Sequence, residues 1–249
     1  MNSIMRKTLL IVFFLFLISS CQTTQDATKH SLSETEFLSQ KVDSSLVDDE
    51  TISQFIAPYV ENLQQEMGRI ITTAEGSFER GQPEGALGNL IADLTRSRAS
   101  SEMRENVDIA VLNNGGLRIP LPMGDISVGM VYELMPFDNI IAVLELNGEQ
   151  ILQMANELAA CGGEPISGMR MRIHDGKAAD VLIGSREVQP DRIYTVATNN
   201  WMADGGGCVP TLWNPLSRND LPVLIRDAII DHFYSREKIQ PRIDNRFRG

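Results

Sequence analysis

The amino-acid sequence predicts a single α+β domain in which a mixed β-sheet is flanked by helices. Segments with helical spacing alternate with apolar runs typical of strands, and several strands follow one another directly between residues 169 and 198. A strictly wound parallel sheet would need a helix between successive strands, so the order of elements favours a mixed sheet. With 249 residues, 43% of them hydrophobic, the chain can bury a core of this kind.

The predicted elements begin just after residue 50 and continue to residue 234. Apolar residues from Ile52 to Leu63 recur at three- and four-residue spacing, which predicts a helix that is interrupted or bent near Pro58 and packed along its apolar face. Strands are predicted at residues 69–73, 107–112, 140–146, 169–174, 180–183 and 193–198. Helices are predicted at residues 84–97, at 149–160 after Asn147 and Gly148, and at 221–234 after the capping candidates Asn219 and Asp220.

The N-terminal segment predicts export and attachment to a membrane. Arg6 and Lys7 precede an apolar run, residues 9–18, that is too short for a comfortable membrane span, so residues 1–20 are interpreted as a signal peptide. Small residues then precede Cys21, as in a bacterial lipobox, and we expect Cys21 to carry lipid. An ordinary secretory peptide is the alternative. Residues 21–49 are expected to form a flexible tether and residues 50–249 the folded domain, held at the bacterial cell envelope on the periplasmic or outer side.

The charge balance restricts the ligand class. The formal net charge is −11, which disfavours binding of a nucleic-acid polymer through a broad basic face. A local arginine pocket for one small anion remains compatible with this composition.

Four polar or glycine-rich segments stand out as candidate ligand loops. They are residues 113–118, 136–139, 161–163 and 198–207. Each adjoins the end of a predicted element, where backbone N–H groups are free and binding loops commonly lie. Singly, each could be a plain turn or a packing corner. Together they indicate one pocket with an arginine, backbone amides and two aromatic faces.

These segments resemble a known family. Residues 84–93, 114–118, 124–127, 136–139 and 205–207 are similar, in order and spacing, to the motifs of the C-terminal domain of bacterial and animal 5′-nucleotidases. In that family the domain is a mixed α/β unit that recognises the nucleotide. A separate N-terminal metallophosphatase domain carries two metal ions and the catalytic histidine. The resemblance covers about residues 50–240 and implies a role in phosphoric monoester hydrolysis and nucleotide catabolism.

The resemblance implies a clamp around the base. Phe137 matches one aromatic ring, and Trp201 stands where a second ring, usually Phe, completes the clamp. Stacking contributes about 1–3 kcal/mol per base; a core anchor is the alternative role for Trp201. By the same resemblance Asn139 binds the base edge, Gly162 lines the base site, and Arg118 contacts the anionic or ribose side. The remaining members of the implied binding set are Asn114, Gly116 and Arg80.

Two positions depart from the family pattern. Gly207 stands where the family often has an Asp that binds a ribose hydroxyl, and Asp204 lies three residues earlier. Of the further arginines that the family places before residues 87–89, only Arg80 is within reach. Ribose and phosphate recognition are therefore expected to be altered.

The sequence contains no recognisable catalytic centre. It lacks Asp-x-His, Gly-Asn-His-Asp, Gly-x-Ser-x-Gly, Walker and zinc-type cysteine motifs. Its three histidines, His30, His174 and His232, are scattered. We therefore expect no catalytic residue, metal or cofactor in this chain, with divalent metal ions bound by a partner metallophosphatase.

The two remaining cysteines are expected to pair. Cys161 precedes Gly162, Cys208 follows Gly207, and the resemblance places both loops around the base. A disulfide there would connect the base-binding loops and stabilise the fold by about 3–4 kcal/mol in the chain-entropy model. Two unpaired thiols are the alternative.

Three functions remain open from the sequence. The first is the nucleotide-recognition half of a split 5′-nucleotidase, whose catalytic metallophosphatase is separately encoded. The second is a surface lipoprotein that captures a nucleotide or nucleoside without hydrolysing it. The third is an interaction scaffold with a vestigial clamp.

Overall fold

The computed structural model describes residues 46–248. The predicted signal peptide, Cys21 and most of the predicted tether lie outside the described residues. The chain divides into a unit that ends at Glu50 and a unit that comprises Thr51–Gly249. No helix within residues 46–248 is both long and apolar enough to cross a membrane.

The described chain contains both helices and strands, and five strands follow one another between residues 166 and 199. The helices are α1 (Glu50–Gly68), α2 (Ala86–Met103), α3 (Val128–Leu134), α4 (Gly148–Ala160), α5 (Asn200–Ala203) and α6 (Ile225–Tyr234), with 3₁₀ turns at Asn114–Gly116 and Pro210–Trp213. The strands are β1 (Ile70–Ala74), β2 (Ile109–Val111), β3 (Gly124–Ser127), β4 (Ile140–Asn147), β5 (Ile166–Ser167), β6 (Met169–His174), β7 (Lys177–Ile183), β8 (Arg186–Glu187), β9 (Ile193–Asn199), β10 (Ser217–Leu224), β11 (Lys238–Ile239) and β12 (Phe247–Arg248).

The largest sheet is mixed and has the strand order β10-β4-β9-β2-β5. β2 and β9 run parallel, whereas β4 pairs antiparallel with both β9 and β10, and β5 pairs antiparallel with β2. Smaller sheets have the orders β11-β1-β3 and β12-β6-β7-β8. The predicted fold class, a mixed sheet flanked by helices, is confirmed.

The central sheet is buried on both faces. Along β4, Ile141 and Val143 pack into one core with residues of α2, α3 and α6, whereas Ala142 and Leu144 pack into a second core with α4 and the β6–β7 hairpin. Burial on both faces explains why residues 140–146 form a nearly continuous apolar run rather than an alternating one. The sheet is therefore a rigid base for the loops at its two ends.

The start of α4, which the sequence predicts just after Asn147 and Gly148, carries a capping box. Asn147 Oδ1 accepts a hydrogen bond from the Gln150 backbone N–H at 2.9 Å, and Gln150 Oε1 accepts one from the Asn147 backbone N–H at 3.0 Å. This reciprocal capping box satisfies two N–H groups that the first turn leaves without helical partners.

The helix predicted at residues 221–234 is wrong in its first part. Residues Ser217–Leu224 form β10, and α6 begins only at Ile225. Asn219 and Asp220 are not helix caps, because they pair with Val143 and Ala142 of β4. Pro222 lacks an N–H, and it is tolerated because β10 is an edge strand of the sheet. Pairing with β4, which is distant in the sequence, overrides the local helical pattern.

The apolar face of α1 also differs from the expectation. The helix continues through Pro58 without interruption. The prediction that its apolar face is packed is wrong, since none of its residues is buried. Phe55, Tyr59 and Leu63 are exposed, with 73% of the Phe55 surface accessible. The Phe55 and Tyr59 rings lie 6.2 Å apart, so they contact each other along the helix.

Candidate functional site

The four candidate loops meet at one end of the central sheet. β2 and β9 are parallel and finish there, while the antiparallel strands β4 and β5 begin there. The register confirms this, since Ile141 faces Asn199 and Ile166 faces Val111. We call this the clamp end: the end of the central sheet that carries residues 112–118, 135–139, 161–165 and 200–208. The topology thus brings together segments that are separated by up to about 90 residues.

Phe137 presents an exposed ring beside Arg118. The ring lies in the loop before β4, and 42% of the residue is accessible. The Arg118 guanidinium carbon lies 5.8 Å from the ring centroid, and Arg118 Nη1 donates to the Gly115 carbonyl oxygen at 3.2 Å. This spacing is within the range of a cation–π contact. A ring and a cation are therefore presented together at the clamp end.

Arg226, in the first turn of α6, holds the loop that carries Phe137. Its Nη2 donates to Asp138 Oδ1 at 2.6 Å, and its Nη1 donates to the carbonyl oxygens of Met135 and Phe137 at 3.3 and 3.4 Å. The guanidinium carbon also lies 4.4 Å from the centroid of the Tyr132 ring, and Arg226 is buried. The sequence did not identify this residue, because a single arginine on an amphipathic helix is typical of the solvent-exposed face.

Trp201 presents the second exposed ring, with 47% of the residue accessible. A Cβ placed on Gly206 would lie 2.4 Å from the indole atoms, so the ring packs directly on the backbone of this glycine. The Asn199 side chain caps α5, and Asn200 Oδ1 accepts a hydrogen bond from the Ile140 N–H at 3.1 Å. The Trp201 turn is thereby tied to the start of β4, close to Phe137. Trp201 is not enclosed in either core.

Asn114 and Gly116 lie in a turn that is fixed from both sides. Asn113 Oδ1 accepts a hydrogen bond from Asn199 Nδ2 at 2.9 Å, and Glu164 Oε2 accepts one from the Asn114 N–H at 2.6 Å. Asn114 Nδ2 is buried and has no hydrogen-bond partner among the described residues. Gly116 is buried against the Asn113 side chain. Asn113 and Asn199 are connecting residues that the sequence pattern did not distinguish from their neighbours.

Glu164 is a further residue that sequence reasoning missed. It lies between the Asn114 turn and the disulfide, with its Oε1 atom 3.9 Å from Cys208 Sγ. Burial raises the pKa of its carboxyl group, and the hydrogen bond from the Asn114 N–H partly offsets that rise. The clamp end therefore contains one partly desolvated acid.

Cys161 and Cys208 form the predicted disulfide. Their Cα atoms lie 6.4 Å apart, and the bond joins the end of α4 to the loop after α5. Gly162, which follows Cys161, is exposed. The disulfide thus connects two of the four loops of the clamp end.

The other predicted binding residues also lie at or beside the clamp end. Arg80 Nη1 donates to the Leu117 carbonyl oxygen at 3.0 Å, next to Arg118. Asn139 is half-buried, and its backbone carbonyl oxygen accepts a hydrogen bond from the Ile225 N–H at 2.9 Å. Among the described residues no side-chain hydrogen bond of Asn139 is present. Its amide is therefore available to a ligand.

Asp204 is already engaged elsewhere. Arg218 Nη1 lies 2.6 Å from Asp204 Oδ1 and its Nε lies 2.8 Å from Asp220 Oδ1. Hydrogen bonds from Arg218 to Asp220 and Asp204 raise the pKa of this guanidinium. The structure thus pairs Asp204 with an arginine of β10.

The motif at residues 84–93 has a structural role. Glu84 accepts hydrogen bonds from Asn89 Nδ2 and from the backbone N–H groups of Asp244 and Arg246. Asp93 Oδ2 lies 2.6 Å from Arg246 Nη2. Arg246 is buried and also donates to a carbonyl oxygen of β5. This motif therefore holds the C-terminal segment against α2, and its Gly88 packs against Pro165 of the clamp end.

Residues 46–248 contain no group of three or more His, Cys, Asp or Glu side chains that is placed to hold a metal ion. His174 is exposed at the end of β6. His232, on α6, is half-buried, and burial together with nearby Arg236 lowers its pKa. His30 lies outside the described residues. That divalent metals are bound by a partner protein stays a prediction.

Residues 67–213 match the family described as 5′-nucleotidase, C-terminal domain. The chain belongs to this family. A 5′-nucleotidase of Vibrio cholerae is 28% identical to this nucleotidase C-terminal domain over 201 residues, which are 76% of this chain and 34% of that protein. Endonuclease YhcR of Bacillus subtilis is 30% identical over 195 residues, which are 75% of this chain and 15% of that protein. The chain thus spans about a third, or less, of these curated relatives.

A solved structure supports the fold of this nucleotidase C-terminal domain. The crystal structure of a 5′-nucleotidase precursor from Thermus thermophilus superimposes with a TM-score of 0.69 at 24% sequence identity. The matched region covers 81% of this chain and 43% of that one. The likeness establishes the architecture on which the clamp end is built.

Proposed function

We propose that this chain is the nucleotide- or nucleoside-recognition component of a 5′-nucleotidase-type phosphoric monoester hydrolase. One observation carries the proposal: Phe137 and Trp201, each nearly half exposed, are presented by neighbouring loops at the clamp end, beside Arg118. Apolar rings that are exposed together and rimmed by polar side chains are typical of a binding surface. Membership of the nucleotidase family supplies the ligand class.

In this proposal the base stacks between the two rings. Each stacking contact contributes about 1–3 kcal/mol, and the Trp201 indole offers at least as much π surface as a phenyl ring. The unpaired Asn139 amide binds the base edge, Gly162 lines the base site, and Arg118, with Arg80 beside it, contacts the ribose or anionic side. The hydrogen bonds that fix these loops before binding reduce the entropic cost of ordering them.

Catalysis is assigned to a separately encoded metallophosphatase that docks beside this domain. The 249 residues contain none of the expected di-metal motifs, and the relatives contain a large region that this chain does not match. Two divalent metal ions in such a partner would supply the activated hydroxide for phosphate hydrolysis. The residues of this chain bind and orient the nucleotide, and the chain alone is proposed to be inactive.

The placement of the protein is part of the same proposal. Lipid on Cys21 and a tether of residues 21–49 would hold the domain at the cell envelope, where nucleotides outside the cytoplasm are accessible. Mass spectrometry of Cys21-containing peptides from exported protein tests this part, and an unmodified thiol there would contradict it.

Calorimetric titration with AMP and adenosine tests the clamp. We expect Phe137→Ala and Trp201→Ala each to weaken binding by about 1–3 kcal/mol, while Tyr59→Ala, which removes an exposed ring of α1, leaves it unchanged. Equal affinity in the parent protein and in all three variants would reject the clamp and would favour the interaction scaffold. Phosphate release by the pure chain with Mn²⁺ or Zn²⁺ would reject the split arrangement.

A non-catalytic nucleotide-binding lipoprotein is the second candidate. The lack of di-metal motifs is as compatible with this function as with the split nucleotidase. The two functions differ in one measurement. Addition of a lone metallophosphatase domain should give phosphate release that depends on Phe137 in the split enzyme, but none in a protein that only captures ligand.

A further inference from the structure

A second charged region lies at the opposite end of the central sheet. There β2 and β9 begin and β5 ends, so this end is separated from the clamp end by the full length of the strands. Two adjoining clefts of about 420 and 330 Å³ open between the turn after β5 and the turn between β7 and β8. Both are lined by Arg96, Gly168, Gly184 and Ser185. We call them together the arginine cleft.

The charges in the arginine cleft do not cancel. It is lined by five arginines and three aspartates, in a chain whose net charge is −11. The aspartates are engaged by two of the arginines: Asp93 and Asp244 pair with Arg246 at 2.6 and 3.0 Å, and Asp108 pairs with Arg192 at 3.2 Å.

The other three arginines of the cleft, Arg96, Arg170 and Arg186, have no carboxylate partner in the described part of the chain. An excess of two positive charges remains in the cleft. A cleft lined by an excess of one charge raises the local concentration of ions of the opposite charge, here anions.

The half-buried Arg96 is held in place by neutral groups. Its Nε donates to Ser167 Oγ at 2.9 Å and its Nη1 donates to the Val107 carbonyl oxygen at 3.5 Å. Neither contact neutralises its charge, and its Nη2 is left for another acceptor. Ser167 in turn donates to Asp93 Oδ1 at 2.6 Å, which fixes the hydroxyl. The arginine is thus oriented before any ligand arrives.

The backbone at the cleft is also fixed. Gly184 N–H donates to the Gly168 carbonyl oxygen at 2.9 Å, which joins the two turns that form the walls. Gly168 has φ +77°, and a Cβ there would lie 2.0 Å from the Asp108 carbonyl oxygen and 3.3 Å from Arg96 Cδ. Only glycine allows the Arg96 stem and the Asp108 backbone, just before β2, to approach so closely. Ser185 adds a hydroxyl at the mouth.

We propose that the arginine cleft binds a phosphate dianion, either inorganic phosphate or the phosphate of a monoester. The charge of a phosphate monoester near neutral pH, about −1.5 to −2, matches the excess of positive charge. Planar guanidinium groups bind phosphate oxygens bidentately. Arg96 lines both clefts, whereas Arg170 lines the larger one, Arg186 lines the smaller one, and both of these side chains are exposed. The site is independent of the base clamp, because no residue of the clamp end lines it.

Titration with inorganic phosphate, followed by backbone-amide NMR shifts, tests the site. We expect shifts centred on Gly168, Gly184 and Ser185, and an affinity loss of about tenfold in Arg170→Ala and in Arg186→Ala. Both side chains are exposed, so these variants are expected to fold. Lys177→Ala, which removes one positive charge from the far end of β7, should bind phosphate like the parent, and so should Phe137→Ala.

Vesicles distinguish a free phosphate from a lipid headgroup. Binding of free phosphate identifies a small-molecule site. If phosphatidic acid vesicles bind much more tightly than free phosphate, and do so through Arg170 and Arg186, the phosphate monoester is that of a lipid. The proposal is overturned if millimolar phosphate and phosphatidic acid both leave the amide shifts unchanged. It is equally overturned if the Arg170 and Arg186 variants match Lys177→Ala. Loss of AMP binding in Phe137→Ala does not bear on these outcomes.

Discussion

The two ends of the central sheet present different chemistry on the same strands. At the clamp end, exposed rings are fixed by a network of amide hydrogen bonds, the disulfide and the buried Arg226. At the arginine cleft, α2, β6 and β8 each contribute an arginine that has no carboxylate partner in the described chain. A flat apolar ligand group suits the first and a compact anion suits the second. The same sheet, buried on both faces, thus presents exposed aromatic rings at one end and a cluster of arginines at the other.

Removal of the disulfide should have the largest effect on this contrast. We expect Cys161→Ser with Cys208→Ser to lower the free energy of unfolding by about 3–4 kcal/mol, because a loop of 47 residues is no longer closed in the unfolded chain. Nucleotide affinity should fall as well, since two clamp loops are released, whereas phosphate binding at the arginine cleft should be unchanged in the folded protein.

Chemical denaturation and calorimetry of the folded fraction measure the two disulfide effects separately. Equal losses of nucleotide and phosphate binding would show that the two ends of the sheet are not independent.

Replacement of Arg226 should have an intermediate effect. Arg226→Ala leaves the carbonyl oxygens of Met135 and Phe137 without their donor, which should cost about 1–3 kcal/mol of stability. The Asp138 carboxylate is exposed, so its lost pairing adds little.

The positioning role of Arg226 is tested by comparison with lysine. Arg226→Lys keeps the charge but supplies fewer directed donors, and should restore part of the stability and part of the AMP affinity. Thermal unfolding and calorimetry check this. Full AMP affinity in Arg226→Ala would show that the Phe137 loop is positioned without it.

The smallest effect is expected from Glu164, through pH. Because burial raises its pKa in the folded protein, the ionised carboxylate is less well accommodated there than in the unfolded chain. Its contribution to stability is therefore fully present below its ordinary pKa of 4.5 and is lost as pH rises through the raised folded value.

In acid, we expect the free energy of unfolding of Glu164→Gln to be equal to that of the parent or lower. Towards neutral pH, we expect this free energy to rise relative to that of the parent. Urea unfolding at a series of pH values measures the difference. If the difference in free energy of unfolding between the two proteins does not vary with pH, burial does not raise the pKa of Glu164. Phosphate binding at the arginine cleft should be the same in both proteins.

Some site residues were predictable and others were not, for a physical reason. The loops that carry Phe137, Trp201 and Arg118 contain glycine or proline, so the local sequence identified them as candidate ligand loops. Arg226 could not be found this way, because its role depends on a loop about 90 residues away. Glu164 gave no signal either, since its altered pKa arises from burial. The motif at residues 84–93 was recognisable, but only its contacts with Arg246 revealed what it holds.

Sequence alone determined the elements whose pattern is local. The run at residues 140–146, the alternating strand Met169–His174 and the capped helix Gly148–Ala160 follow from spacing and capping chemistry within a few residues. The resemblance to known nucleotidases added the expected pairing of Cys161 with Cys208.

Only the tertiary structure decided the properties that depend on distant partners. It made Ser217–Leu224 a strand by pairing it with β4, left the apolar face of α1 exposed, and gathered Arg96, Arg170 and Arg186 around one cleft. Backbone pairing and charge clustering act between residues that are close in space but far apart along the chain. A local sequence pattern cannot report those energies.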